Sequence, residues 1–195
     1  MMQYSPLNIN WYYSYVDIPN LAAITQELIN LKLSIKDKTQ YNQYYSNISA
    51  IAAHSTCPML MRYLWSMGLS FKFSRLLYSE NMTNGSPPHV DTYDPTFCMY
   101  SLNIPLLECD DSYTAWFSTD NNNLSQKTPA AGMYATINEN DTLTEICRVE
   151  SNRPLLANTT ILHRGITQNP KRTLVGLRFN PELTNDDLNR LGIKI

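Results

Sequence analysis

Two segments decide the reading. The first is Ser86-Pro87-Pro88-His89-Val90-Asp91. The second is Ile161-Leu162-His163-Arg164-Gly165, running on to Lys171-Arg172-Thr173-Leu174-Val175-Gly176-Leu177-Arg178-Phe179. Residues two apart on an extended strand share a face, so His89 and Asp91 point the same way. A second strand that brings His163 alongside assembles two imidazoles and one carboxylate on one side of a metal ion. Such a set occupies three positions of an octahedron and leaves the opposite three open. With 3 His and 17 Asp+Glu in 195 residues, an acid two places after some His arises by chance about one time in four. His-x-Asp alone is therefore weak, and a lone strand histidine is more often a hydrogen-bonded structural residue. Chain order adds weight: His-x-Asp, a long β-rich span, then His. Arg172 follows His163 by nine residues and opens a strand-like run to Phe179.

Working outward, Trp11, Tyr12, Tyr13 and Tyr15 suit an early strand or a segment packed on a sheet. A helix is expected over about 20–31, capped by Asp17 or Asn20, with Leu21, Ile24, Leu28 and Leu31 at helical spacing. Ser34 to Ser49 is polar and Tyr-rich and reads as irregular, and 34–55 as a loop region. A second helix starts at Thr56 or Cys57 with Pro58 in its first turn and ends at Gly68, its stripe being Leu60, Met61, Leu64 and Met67. Leu69, Phe71 and Phe73 alternate with polar residues, a half-buried strand carried on through Tyr78. Further strands are expected at Phe97 to Pro105, Tyr113 to Phe117 (Trp116 in the core), Met133 to Ile137, Leu143 to Val149 and Pro154 to Leu156. Loops are expected at 91–96 and 119–130. A short C-terminal helix is capped by Thr184, carries Asp186 and Asp187 in its first turn, and stops at Gly192.

Composition bounds the function classes. A chain of 195 residues is long enough for one domain with a real core, 1–195. Net charge is −2 and no basic stripe is visible, so a nucleic-acid partner is not indicated. Cys57, Cys98, Cys109 and Cys147 are widely spaced with no Cys-x-x-Cys, which supports neither a zinc site nor a redox motif. The N-terminus has no basic region followed by an apolar one, and no apolar run approaches the ~18 residues a membrane span needs. A cytoplasmic protein with reduced thiols and no membrane association is the expectation. Composition does not speak to oligomeric state.

Segments 86–91, 161–165 and 172–179, together with Cys98-Met99-Tyr100-Ser101-Leu102-Asn103, resemble the 2-oxoglutarate/Fe(II)-dependent dioxygenases over roughly residues 70 to 180. The spacing of nine and the Arg-to-Phe strand are closest to the prolyl-hydroxylase-like branch. The resemblance implies a mainly β fold with flanking helices: a double-stranded β-helix (jelly roll, cupin-like) over 69–180. An N-terminal strand and supporting helices over 1–68 would buttress one sheet, with a short helix over 181–195. It implies Fe(II) held by His89, Asp91 and His163. It implies 2-oxoglutarate as cosubstrate, its far carboxylate on Arg172. O2 is then reduced, succinate and CO2 are released, and a C–H bond of a small-molecule or peptidyl substrate is hydroxylated. No catalytic side chain is implied beyond the metal ligands.

One departure bears on the cosubstrate. Ser101 stands where the branch has a Tyr that helps hold the cosubstrate carboxylate, and Ser is too short to reach without water or a neighbour. Asn103 and Tyr113 are the candidates to compensate. By alternation Ser101 and Asn103 share a face, as do Arg172, Leu174, Gly176 and Arg178. An inward Arg needs a partner, because a buried unpaired charge is costly. For Arg172 a dicarboxylate ligand serves through bidentate hydrogen bonds, and a protein carboxylate is the alternative. Arg178 could meet an acidic substrate or the cosubstrate's other end, and Arg164 should point away. Two rivals stand beside this reading. One is a cupin-type metal enzyme that does not use 2-oxoglutarate, supported by Ser101. The other is a non-catalytic β-barrel binding protein.

Overall fold

The computed structural model describes residues 12–35, 43–46, 48–69, 73–80, 86–91, 100–119, 125–127, 134–136, 142–169, 171–179 and 183–193. In chain order the elements are β1 (Tyr13–Tyr15), α1 (Leu21–Ser34), β2 (Gln43–Ser46), α2 (Ala50–Thr56), α3 (Pro58–Ser66) and β3 (Phe73–Glu80). There follow β4 (His89–Val90), β5 (Tyr100–Leu107), β6 (Ser112–Thr119), β7 (Ser125–Lys127), β8 (Tyr134–Thr136) and β9 (Leu143–Glu150). The chain closes with β10 (Leu155–Asn158), β11 (His163–Thr167), β12 (Thr173–Phe179) and α4 (Asn185–Arg190).

The strands form two six-stranded antiparallel sheets, ordered β1-β10-β5-β12-β3-β2 and β7-β8-β4-β11-β6-β9. Apart from the consecutive pairs β2-β3 and β7-β8, neighbours in each sheet come from distant parts of the chain, as in a jelly roll. The side-chain period of two sorts each strand into faces. On the first sheet Leu102 and Ile104 of β5, Leu156 of β10, and Val175 and Leu177 of β12 join Ile24 and Leu28 of α1 and Leu60, Met61 and Leu64 of α3 in one cluster. Each such aliphatic side chain contributes about 1.5–3 kcal/mol on burial. Alternation turns Ser101, Asn103, Leu155, Ala157, Gly176 and Arg178 to the opposite face. There Leu155 and Ala157 meet Trp116 and Val149 of the second sheet, so that face is the interior between the sheets. Trp116 is fully buried, and its indole N–H donates to the Asn158 carbonyl at 2.9 Å.

The local elements differ from expectation in instructive ways. Helix α1 buries Ile24 and Leu28 as its spacing predicts, and of the two candidates Asn20 is the N-cap residue, though it is left-handed and makes no side-chain cap bond. Helix α3 begins at Pro58, and Gly68 past its end takes φ +70°, as expected. Its first N–H groups, however, are satisfied from α1: the Glu27 carboxylate accepts from Met59 N at 2.8 Å and from Leu60 N at 3.1 Å. A carboxylate at a helix N-terminus also complements the helix dipole. Glu27→Ala should lower stability by about 1–2 kcal/mol, measured as a fall in the urea midpoint without a change in slope. An unchanged midpoint would remove this cap from the account.

Residues 34–55 are not all irregular. β2 pairs with β3, and α2 is capped by Ser49, whose hydroxyl accepts from Ala52 N at 3.2 Å. Only Ala53 of α2 is buried, so no apolar stripe announced it, although Ala is the best helix former. β7 falls within the expected 119–130 loop and β10 runs on to Asn158. Of the loop expected at 91–96 only Asp91 is described, and residues 92–96 and the start of the strand expected at 97–105 lie outside the described residues. Among the described residues no helix is long and apolar enough to cross a membrane.

Candidate metal centre

β4 and β11 pair antiparallel with His163 opposite His89, and on its other edge β11 sets His163 opposite Trp116. Paired residues share a face, so both imidazoles turn into the interior where Trp116 packs. Their ring centroids are 4.6 Å apart. Asp91 follows directly on β4, and its N–H donates to the Thr159 carbonyl at 3.0 Å. Asp91 Oδ1 lies 3.2 Å from His89 Nε2, and Oδ2 lies 3.7 Å from His163 Nε2. One ligand atom from each of His89, Asp91 and His163 lies within 4.8 Å of the others. His89 Nδ1 is 2.7 Å from the Pro87 carbonyl and His163 Nδ1 is 2.8 Å from the Ile161 carbonyl. A carbonyl only accepts, so in each neutral ring Nδ1 carries the proton and Nε2 offers its lone pair inward.

Arg172 lies beside this cluster. It sits one residue before β12 rather than on it, and the β12 register against β5 shifts between Thr173 and Leu174. Its side chain is 4% exposed. The guanidinium lies over Gly165, where a Cβ would be 3.5 Å from Nη1. Gly165 is two residues along β11 from His163, about 7 Å on the same face. Among the described residues Arg172 has no carboxylate partner within 4 Å: Nε has no hydrogen-bond partner, and the guanidinium meets the Cys109 sulfur. Burial pulls its pKa down. Ser101 and Asn103 share the interior face as expected, and the Ser101 hydroxyl donates to Asn103 Oδ1 at 2.6 Å. Gly176, opposite Asn103, leaves room for that pair: a Cβ there would stand 2.9 Å from Ser101 Oγ and 3.2 Å from Asn103 Oδ1. Gly176→Ala should cost about 1–3 kcal/mol through overpacking, read by chemical denaturation. Adding Ser101→Gly should recover part of it.

No model of a known protein family and no curated protein sequence matches the chain. Solved structures do match in shape. The epimerase SnoN, in complex with Fe3+, α-ketoglutarate and nogalamycin RO, superposes with a TM-score of 0.51 at 10% identity, over 86% of this chain and 78% of that one. The chain shares the jelly-roll fold of that protein. Two prolyl hydroxylases align less closely. One, from Trichoplax adhaerens in complex with a hypoxia-inducible-factor degradation-domain peptide, has a TM-score of 0.49 at 12% identity, over 92% of this chain and 86% of that one. A Pseudomonas putida prolyl-4-hydroxylase has 0.47 at 10%, over 90% and 95%.

Charge distinguishes the three groups. Burial, then the neighbouring His89, push His163 down to about 4. Burial also works against a charged His89, but Asp91 outweighs it and leaves the His89 pKa above the ordinary value. Burial opposes ionisation of Asp91 too, yet Arg178 and His89 together hold its carboxyl well below the usual carboxylate range. Near neutral pH His163 is therefore a neutral donor and Asp91 an anion, while His89 keeps its proton to higher pH than a free imidazole. A divalent cation must displace that one proton. Metal affinity should rise about tenfold per pH unit up to the His89 pKa and flatten above it, with close to one proton released per metal below it. Titration in two buffers of different ionisation enthalpy checks this, and a pH-independent affinity would refute it.

The remaining residues sort by face. Tyr113 pairs with Ile166 on the face away from Trp116, and Arg148 lies over its ring at 5.7 Å; the fold does not bring Tyr113 to Ser101. Arg164 also points away, over Phe117. Thr114, opposite Gly165 in register, does face the interior; its hydroxyl is 2.9 Å from that of Ser151. Alternation from Trp116 was a signal for Thr114. Arg178 makes an ion pair with Asp91, a partner other than the substrate or cosubstrate expected from sequence.

Proposed function

We propose that the chain is a non-haem Fe(II)- and 2-oxoglutarate-dependent oxygenase that hydroxylates a C–H bond of a small-molecule or peptidyl substrate. The observation that carries this is the convergence of His89, Asp91 and His163 ligand atoms within 4.8 Å. Two imidazole nitrogens and one carboxylate suit Fe(II), and the donor set leaves open positions. Bound together there, iron and 2-oxoglutarate would supply O2 activation: 2-oxoglutarate would give two electrons and lose CO2, and the two oxygen atoms of O2 would end in succinate and in the hydroxylated C–H bond. Arg172 supports the choice of cosubstrate, since a buried guanidinium without a carboxylate partner among the described residues accommodates a distal carboxylate through bidentate hydrogen bonds. In this reading Arg172 fixes the far end of the cosubstrate, and Thr114, opposite Gly165 in register, offers a hydroxyl on the same interior face. Asn103 and Ser101, bonded to one another, shape the wall. Trp116, Leu155 and Ala157 keep water from the adjoining interior.

The test is anaerobic titration of the Fe(II)-loaded protein with 2-oxoglutarate, following the visible metal-to-ligand charge-transfer band. A band that appears, and needs more ligand in Arg172→Ala, is the expected result. Iron binding without a band would favour the cupin-type alternative, to which the self-satisfied Ser101–Asn103 pair lends weight. No metal binding would leave a non-catalytic barrel.

A further inference from the structure

Asp91 is held by the backbone and by the side chain. Its N–H donates to the Thr159 carbonyl at 3.0 Å. Its Oδ2 takes the Arg178 Nη2 in an ion pair. Arg178 Nη1 in turn donates to Thr159 Oγ1 at 3.0 Å, which closes a ring through β12 and the turn after β10. Thr159 is 1% exposed, so the ring is walled off from solvent at that corner. We infer that Arg178, anchored by Thr159, is a positioning residue that restricts Asp91 to one oxygen toward the metal and so preserves a coordination position for the cosubstrate.

The geometry carries this. Oδ1 faces His89 Nε2 at 3.2 Å, the side on which a cation replaces the His89 proton, while Oδ2 lies 3.7 Å from His163 Nε2 and accepts from the guanidinium. Without Arg178 both oxygens would face a cation held by the two imidazoles. A carboxylate can chelate through both. Two imidazoles and a chelating carboxylate take four positions of an octahedron, and a cosubstrate binding through two atoms then takes the last two. Nothing is left for O2. A lysine at 178 supplies the charge but not the planar fork that spans Asp91 and Thr159 at once.

The inference rests on the proposed function for its cosubstrate half only. The experiment uses the full chain with Mn(II) in place of iron, under calorimetry, in wild type, Arg178→Leu, Arg178→Lys and Thr159→Val. Arg178→Leu removes a competing cation and frees the second oxygen, so Mn(II) should bind about tenfold more tightly, while 2-oxoglutarate on the Mn(II)-loaded protein should bind about 10–100-fold more weakly. Thr159→Val should shift both in the same directions by less, and Arg178→Lys should return Mn(II) affinity toward wild type with 2-oxoglutarate still weakened. A merely structural role weakens both together, and that outcome overturns the inference, as does unchanged affinity for both. If Arg178→Leu does not fold, as thermal unfolding would show, Thr159→Val decides by the same signs. If wild type binds Mn(II) but no 2-oxoglutarate, the proposed function falls while the metal arm still decides the clamp: tighter binding in Arg178→Leu upholds it, weaker or equal binding sinks it. If wild type binds no Mn(II), both fall.

Discussion

His163→Ala is expected to abolish tight metal binding and with it all iron-dependent succinate formation. The side chain is 9% exposed, and its Nδ1 is fixed by the Ile161 carbonyl so that Nε2 faces Asp91. Loss of an outer partner of a metal ligand typically costs about 10–100-fold in affinity, and loss of one of only three protein donors should cost more. The fold should survive. His163 is pushed down to about 4 and is neutral near pH 7, so no buried ion pair is broken. The neighbouring Trp116 is held independently by Tyr13 stacking and by its bond to Asn158. Mn(II) titration and succinate release should fall together while the thermal midpoint moves by a few degrees. Tyr113→Phe is the matched control, because Tyr113 lies on the other face of β6, and it should alter neither readout. Full activity in His163→Ala would take the triad out of consideration.

How much of this was legible depended on whether the information was local. Helix α3 was readable from Pro58, Gly68 and the Leu60–Leu64 stripe, since each acts within one or two turns. The side-by-side placement of Ser101 and Asn103 followed from strand alternation, as did the shared interior face of Gly176 and Arg178. Distant partners were not legible. That Glu27 caps α3 depends on how two helices cross, and that Arg178 grips Asp91 depends on two sheets closing, so no spacing announces either. Tyr113 illustrates the opposite error: its residue type suggested a role, but counting from Trp116 places it on the outer face. Arg172 falls between. Its position ahead of β12 breaks the simple alternation, yet the register shift at Thr173 and Leu174 still lets the side chain lie over Gly165.

Arg172 should show opposite signs in the empty and loaded protein. In the absence of a dicarboxylate its guanidinium is buried without a carboxylate partner among the described residues, and Nε is unsatisfied. Replacing a poorly compensated buried charge with an apolar group of similar volume is often neutral or stabilising by about 1–4 kcal/mol. Arg172→Met should therefore leave the ligand-free protein as stable as wild type or more so. With 2-oxoglutarate the order should reverse. Truncating one partner of a buried, hydrogen-bonded charge pair costs about 2–5 kcal/mol, which at about 1.4 kcal/mol per tenfold is a 30- to several-thousand-fold loss of cosubstrate affinity. Metal affinity should change little, because Arg172 reaches Gly165 and Cys109 rather than the His89–Asp91–His163 cluster. Thermal unfolding of wild type and Arg172→Met, each with and without Mn(II) plus 2-oxoglutarate, reads all of this at once. Wild type should gain stability from the ligand by mass action and the variant should not. If the variant is instead destabilised when empty, the guanidinium serves the fold, and the cosubstrate carboxylate must be sought elsewhere on the interior wall, beginning with Thr114 and Asn103.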